Sequence, residues 1–410
     1  MVHGWTSALL SGLVSPTMNG RVVPIREISA DDELLWRDLA SHAIEPNPLF
    51  EPDCMIPAAH HLSNGAQMLL VIAEDEGQFF GCFPVVRAAG VDTFIATLRG
   101  IRRPVLTTYV RRNRYDGTPL MREERGVEAA AALLSALINW SDRRDDAGIL
   151  VLEALRDDGP VSEYFARSAK RLKLPIRTYR SYPRPVVQRR DELTYRNNHT
   201  SKTLRRNERN RRQLGEKRGG EVQLVDRSLD ASALEELLVL EATGYKSKTA
   251  VKAYPGESEW LHDMCDRFRR ANRLLLYSLQ VDESVVAMKL LLRGGDRLFC
   301  IFGTYDEAEA KLSPGIQLEL EVINRFYDST DAQWLDSCTY AGNGTFLWIY
   351  PDRRTVSTLL IPFGGPVDRF YVWLYMVQLS WFDVDSTFRS RHHRLVAPMV
   401  WIVSKWKRSL

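Results

Sequence analysis

The sequence predicts an α/β protein in which two mixed-sheet units follow one another and a helical C-terminal tail closes the chain. Three observations predict it. The chain has 410 residues, more than a single hydrophobic core normally organises. Short apolar runs with the aromatic and β-branched composition of strands alternate with stretches of helical periodicity. The order of those elements in the second half repeats that of the first in outline. A hydrophobic content of 45% is enough to fill both cores.

Composition excludes some functions. A net charge of +3 is small for this length, so the whole protein is not an electrostatic binder of nucleic acid, and partners must be argued from local patches. Cys54, Cys82, Cys265, Cys300 and Cys338 are scattered singly, without C-x-x-C spacing, as in a reduced, cytoplasmic protein. Residues 1–21 lack the basic start of a signal peptide and read as a poorly ordered leader.

The first unit is expected over residues 22–190. Asp31 is placed as the cap of a helix with Leu34, Leu35 and Leu39 on one face, and the proline-punctuated run Pro46 to Pro52 precedes a second helix. Gln67 to Ala73 and Gln78 to Val86, separated by Glu74-Asp75-Glu76-Gly77, read as a hairpin. Strands follow at Thr93 to Leu98 and Pro104 to Val110. A helix over Gly126 to Trp140, a strand over Gly148 to Leu152 and a helix over Val161 to Leu172 come next. A strand pair, Pro175 to Tyr179 and Arg184 to Gln188, closes the unit.

Residues 191–220 differ. Arg196, Lys202, Arg205, Arg206, Arg209, Arg211, Arg212, Lys217 and Arg218 stand against only Glu208 and Glu216, on a linker helix capped by Thr200 or Ser201 and anchored by Leu204 and Leu214. Such a helix is either a solvated connector or a basic rim for an anionic ligand. It has no aromatic residues to stack bases, which favours phosphate or acidic-glycan contact over sequence-specific nucleic-acid recognition.

The second unit is expected over residues 221–365: a strand at Glu221 to Val225, helices at Ala231 to Tyr245 and Glu257 to Arg270, and strands at Arg273 to Val281, Ser284 to Leu292 and Arg297 to Phe302. A central helix then precedes strands at Ala332 to Ser337 and Thr355 to Ile361. The whole is organised around Leu298 to Phe326. There an apolar strand breaks at Ser313-Pro314-Gly315 and resumes as a helix carrying Ile316, Leu318, Leu320, Val322, Ile323 and Phe326. The unpaired N–H groups and partial positive charge of a helix start can hold a pyrophosphate. The plainer account is a capped helix, with Ser313 as cap and Pro314 at the first position.

On these residues the second half resembles the GNAT family of acyl-CoA-dependent N-acyltransferases, in particular its cellulose-biosynthesis acetyltransferase-like branch. The resemblance is carried by Leu240-Glu241-Ala242-Thr243-Gly244-Tyr245-Lys246, similar to the E-A-x-G-W-K run of that branch, by Thr249-Ala250, and by Ser313-Pro314-Gly315-Ile316 with Leu318. Tyr245 stands where the branch usually has tryptophan, and Ala310 to Gly315 replaces the R/Q-x-x-G-x-G/A consensus. The first half resembles the degenerate first unit of tandem relatives such as the Fem-type peptidyltransferases.

The resemblance implies transfer of an acyl group, acetyl first among them, from acyl-CoA to an amine or hydroxyl of a sugar, polysaccharide or cell-envelope precursor. It implies Phe302, Gly303, Thr304, Lys311, Ser313, Gly315, Ile316 and Gln317 for the cofactor, Glu241, Lys246 and Tyr305 for proton traffic, and Tyr245, Tyr340 and Asn343 for the acceptor. Aminoacyl transfer from charged tRNA, or a non-catalytic scaffold in polysaccharide assembly, are the alternatives. No metal is expected, since the histidines have no zinc-site spacing.

Residues 366–410 form an aromatic and then basic tail. Phe370, Tyr371, Trp373, Leu374, Met376, Trp381 and Phe382 belong to a helix expected to dock on the protein. Lys405, Lys407 and Arg408 end a last helix suited to an anionic membrane surface. A peripheral position at the inner face of the membrane is the corresponding expectation.

Overall fold

The computed structural model describes residues 18–88, 105–108, 116–142, 148–190, 199–243, 255–339, 344–366, 368–370 and 372–373. The first-half strands are β1 (Asn19–Pro24), β2 (Met68–Asp75), β3 (Gln78–Ala88), β4 (Val105–Thr108), β5 (Leu120–Met121), β6 (Ile149–Arg156) and β7 (Arg177–Gln188). The second-half strands are β8 (Val222–Asp226), β9 (Leu274–Val281), β10 (Ser284–Gly294), β11 (Arg297–Tyr305), β12 (Trp334–Asp336) and β13 (Asp352–Pro362). All belong to one mixed sheet in the order β1-β2-β3-β4-β6-β13-β7-β12-β11-β10-β9-β8, with β5 on the side of β3.

That order reads the same from both ends. Each half contributes an antiparallel run of four strands, then a strand parallel to the last of them, β6 beside β4 and β12 beside β11. The final strands are exchanged: β13 lies between β6 and β7, and β7 lies between β13 and β12. The fold is therefore a tandem of two mixed-sheet units whose last strands each complete the other's sheet.

The helices α1 (Ala30–Ser41), α2 (Pro52–His61), α3 (Gly126–Asp142), α4 (Pro160–Arg171), α6 (Ala233–Thr243) and α7 (Glu257–Arg270) pack with the sheet around one core that continues across both halves. Trp260 of α7 donates its indole N–H to the Cys54 carbonyl of α2 at 3.2 Å, fastening the halves through these two helices. α8 (Pro314–Ser329) covers a second core, with α5 (Ser201–Arg218) beside it and the short α9 (Gly344–Ile349) after it.

Three local expectations need correction. Asp31 does not cap α1; Ser29 does, its hydroxyl accepting the Asp32 N–H at 3.1 Å. The expected strand pair at 175–188 is the single strand β7. Its prolines are tolerated because of where their missing donors would point. The Gln188 amide donates towards β13, to Asp352 Oδ2, and the Arg189 amide donates to the Gln333 carbonyl on the β12 side. Alternation puts Pro183 and Pro185 on the β12 side, which β12 covers only from Val186 to Gln188. Lastly, α9 stands between β12 and β13, where no helix is expected from the sequence.

The expected leader, the strand at 93–98 and the tail beyond Trp373 lie outside the described residues. At the start of the tail, Val372 is buried, whereas Phe370 and Trp373 stack on each other with about half of each exposed. Among the described residues no helix is long and apolar enough to cross a membrane.

The exchange is welded by buried charge. Arg156 and Arg184 are fully buried. Arg156 donates to Asp116 at 2.5 Å and to the Pro46 carbonyl at 2.6 Å, and Arg184 Nη1 lies 3.7 Å from Asp336 Oδ2. Arg354 of β13, paired across the exchange with Arg184 of β7, bonds to Asp158 at 3.0 Å. Burial pushes the Asp116 carboxyl up, but Arg156 and Arg184 outweigh it and hold the group below its ordinary 3.8.

Removing one member of such a cluster leaves the others charged and unpaired, so Asp116→Asn should cost about 3–5 kcal/mol in urea unfolding at neutral pH. Because the native pKa is depressed, this contribution is complete above the ordinary aspartate value and is lost as pH falls below it. The gap between wild type and variant should close only in strong acid. A gap independent of pH would separate Asp116 from the stabilising charge.

Candidate functional site

The feature that distinguishes the second half is a parting of two parallel strands. β11 runs for nine residues, yet β12 pairs only with Arg297, Leu298 and Phe299. The chain then turns away: Cys338 adopts φ +50°, its N–H on Asp336 Oδ1 at 2.7 Å, while the Ser337 N–H goes to the Pro185 carbonyl of β7. From Cys300 to Tyr305, β11 keeps β10 on one side and has no strand neighbour on the other among the described residues. β11 extends three residues past its expected end, so Tyr305 is its last residue rather than part of the loop that follows. Cys300 faces Leu291 and Phe302 faces Leu290, so Ile301 is an extra, bulged residue that re-aims the strand end.

The re-aimed end meets the start of α8. A Cβ on Gly315 would lie 3.0 Å from Tyr305 Cδ1, so only the absence of a side chain lets the helix start approach this closely. Ahead of it, Glu307–Leu312 form a 3₁₀ turn capped by Asp306, absent from the sequence expectation. Ser313 occupies the cap position of α8 with φ +56° and makes no side-chain cap bond, contrary to its expected role. Its carbonyl takes the N–H groups of Ile316 at 3.0 Å and Gln317 at 3.1 Å. The Gln317 amide group donates to the Leu312 carbonyl at 2.9 Å. Of the expected N–H donors, Ile316 and Gln317 are thus engaged in holding the turn. With Pro314 lacking an N–H, Gly315 is the first-turn donor without a backbone acceptor among the described residues.

The basic helix α5 supports this turn. Lys217 and Arg218 each bond to buried Glu309 at 2.8 Å, Arg218 reaches Asp306 at 2.5 Å, and Arg211 pairs with Glu321 of α8 at 2.7 Å. Thr200 caps α5. The C-terminal cations of the expected linker are therefore fixed partners of the second unit, while Lys202, Arg206 and Arg209 face solvent.

Beneath the parting lies a polar cluster. Lys289 of β10 pairs with Glu319 of α8, whose other oxygen accepts the Tyr350 hydroxyl at 2.9 Å, and Cys300 Sγ lies 3.4 Å from that hydroxyl. All four are buried. Burial lowers the Lys289 pKa, but Cys300 and Glu319 more than reverse this and hold it above its ordinary value, so it is an ammonium at neutral pH. Burial pushes the Cys300 thiol up to about 12. Sequence reasoning missed this group. The signals available were a lone lysine in the apolar run Met288-Lys289-Leu290 and a lone glutamate in Leu318-Glu319-Leu320.

Residues 201–348 match the family model of the acetyltransferase (GNAT) domain. The chain carries a GNAT acyltransferase domain. No curated protein matches the sequence. Among solved structures, FemX superposes with a TM-score of 0.53 at 8% identity, over 84% of this chain and 98% of its own. A conserved protein of unknown function from Bacteroides thetaiotaomicron VPI-5482 gives 0.50 at 12% identity, over 81% and 97%. At these identities the likeness is one of fold, and it extends over both halves.

Within the GNAT domain the structure brings Phe302, Gly303, Thr304 and Tyr305 together with Ser313, Gly315, Ile316 and Gln317 around the parted strands. Lys311 is exposed one turn ahead. Glu241 is buried on α6. The leucines of α6 belong to one core and those of α8 to the other, so α6, which packs on β11, lies on the face opposite the lysine cluster. Tyr245, Lys246, Tyr340 and Asn343 lie outside the described residues.

The geometry of Ser313 makes a distinguishing prediction. A true capping serine loses about 0.5–2 kcal/mol on removal of its hydroxyl, whereas a left-handed residue without a cap bond is relieved by glycine. Ser313→Gly should be neutral or stabilising by up to about 1 kcal/mol in thermal unfolding; a clear loss would restore the capping role.

Proposed function

We propose that the GNAT domain moves an acyl group, acetyl as first candidate, from acyl-CoA to an amine or hydroxyl of a sugar, polysaccharide or cell-envelope precursor. The observation that carries this reading is the parting of β11 from β12 beside the Gly315 helix start. A parted strand edge offers backbone groups to an extended thioester arm, while the Gly315 N–H and the partial positive charge of α8 suit its pyrophosphate. Lys311, exposed just ahead, adds a cation at the same mouth. Coenzyme A brings the activated acyl group, and the protein's part is to orient it and to stabilise charge on the carbonyl oxygen.

The acceptor belongs on the α6 side, where buried Glu241 stands on the helix packed on β11 and where the segment with Tyr245 and Lys246 follows in the chain. A cytoplasmic setting, peripheral at the inner face of the membrane through the basic tail, fits an envelope precursor. The exposed Lys202, Arg206 and Arg209 favour one second reading, aminoacyl transfer from tRNA, with α5 against the acceptor stem. Its signature is tRNA binding that falls steeply with salt.

Gly315 provides the test. A glutamate there would press on Tyr305, obstruct the N–H and bring negative charge to the phosphate position. Acetyl-CoA should raise the melting temperature of the wild type and bind measurably by calorimetry. Gly315→Glu should abolish that binding while the circular dichroism spectrum stays native. Equal affinity in the two proteins would overturn the assignment of the junction.

A further inference from the structure

Lys289 stands in β10 directly opposite Gly303 of β11. A Cβ on Gly303 would lie 3.2 Å from Lys289 Cδ and 3.6 Å from Nζ, so the lysine stem crosses β11 over the space a side chain would occupy. It thereby carries its ammonium from an internal strand towards the side on which β11 has parted from β12. There it meets Glu319 of α8 and lies 5.2 Å from the ring centroid of Phe346 on α9, the helix that follows β12. Only 5% of the lysine side chain is exposed. Glu319 is itself tied by the Tyr350 hydroxyl, which fixes the direction of the ion pair.

A buried ion pair of this kind is a poor way to stabilise a fold, because apolar residues of similar volume commonly do as well or better. Its place in the fold gives it another use. We propose that Lys289 faces the thioester carbonyl in the parted-strand cleft and stabilises the negative charge that forms on its oxygen during acyl transfer. The inference rests on the acyl-CoA reading above. The acceptor's nitrogen or oxygen bonds to the carbonyl carbon, and the carbonyl π pair moves onto oxygen. That pair returns as the carbon–sulfur bond breaks. The proton lost by the acceptor ends on the departing thiolate by way of water. Lys289 keeps its proton throughout: of its three N–H donors one serves Glu319, and the others are available to the oxygen. Glu319 and Tyr350 are positioning residues that aim it, and Gly303 is the opening through which it reaches.

The carbonyl stretch of bound acetyl-CoA reads this directly and needs no acceptor. With acetyl-CoA labelled by ¹³C at the carbonyl, difference infrared spectra of the wild-type complex should show the band shifted to lower wavenumber than in free acetyl-CoA. In Lys289→Met, saturated with ligand as judged by calorimetry, the band should return to the free position. Glu319→Gln, which removes the carboxylate that aims Lys289 and helps hold it charged, should weaken the shift. Should Lys289→Met not fold, the double variant Lys289→Met/Glu319→Met leaves no unpaired carboxylate and gives the same reading. An identical band in wild type and either methionine variant overturns the role of Lys289 while leaving the acyl-CoA reading intact. Absence of acetyl-CoA binding to the wild type overturns both.

Discussion

The exchange of β7 and β13 is the constraint on which the rest of the structure depends. Each unit ends in a strand that hydrogen-bonds to the other unit's penultimate strand, so neither sheet is complete without its partner. Placing two cationic strands side by side at the centre sets Arg184 opposite Arg354. Such a pair persists only because carboxylates from elsewhere meet it: Asp336 from the end of β12, Asp158 after β6, and Asp116 from the segment before β5. The cluster then dictates how both units are held. Arg156 reaches the Pro46 carbonyl, and Glu45 accepts the Val161 N–H at the start of α4, so the proline-rich loop of the first unit is anchored on the same charges.

Much of this fold was legible in the sequence, because its elements are set by local signals. α7 spans the residues its periodicity marks, and the β2–β3 and β9–β10–β11 ladders follow from alternating apolar runs broken by Glu76-Gly77, Asp282-Glu283 and Gly295-Asp296. Strand exchange has no such signal. β13 carries the same apolar alternation whether it pairs within its own unit or with β6, and only long-range complementarity decides. β7 was misread for the opposite reason: Pro183 and Pro185 are strong local breakers, and their tolerance depends on how far a neighbouring strand extends. The site divides in the same way. Gly315 and the strand end announce themselves as punctuation after an apolar run. Lys289, Glu319 and Tyr350 are each unremarkable alone and become a group only when β10, α8 and the segment after α9 are brought together.

Among the described residues the two units differ in what stands where their parallel strands part. In the first unit β4 pairs with β6 only from Val105 to Thr107, so the strands could part there as β11 and β12 do. The space is taken by the chain itself. Gly117 donates to the Ala154 carbonyl at 3.1 Å, Thr118 Oγ1 accepts the Arg156 N–H at 3.0 Å, and Thr108 Oγ1 accepts that of Glu153 at 2.9 Å. Asn47 then ties the inserted segment down through the carbonyls of Asp116 and Thr118, both at 2.9 Å. A ligand arm entering this gap would have to displace buried, satisfied backbone and the carboxylate that neutralises Arg156. In the second unit the corresponding region holds a lysine stem laid over a glycine and a helix start that Gly315 opens. Filling one parting with Asp116 supplies the charge that locks the exchanged strands, whereas among the described residues no strand fills the other beside Cys300 to Tyr305.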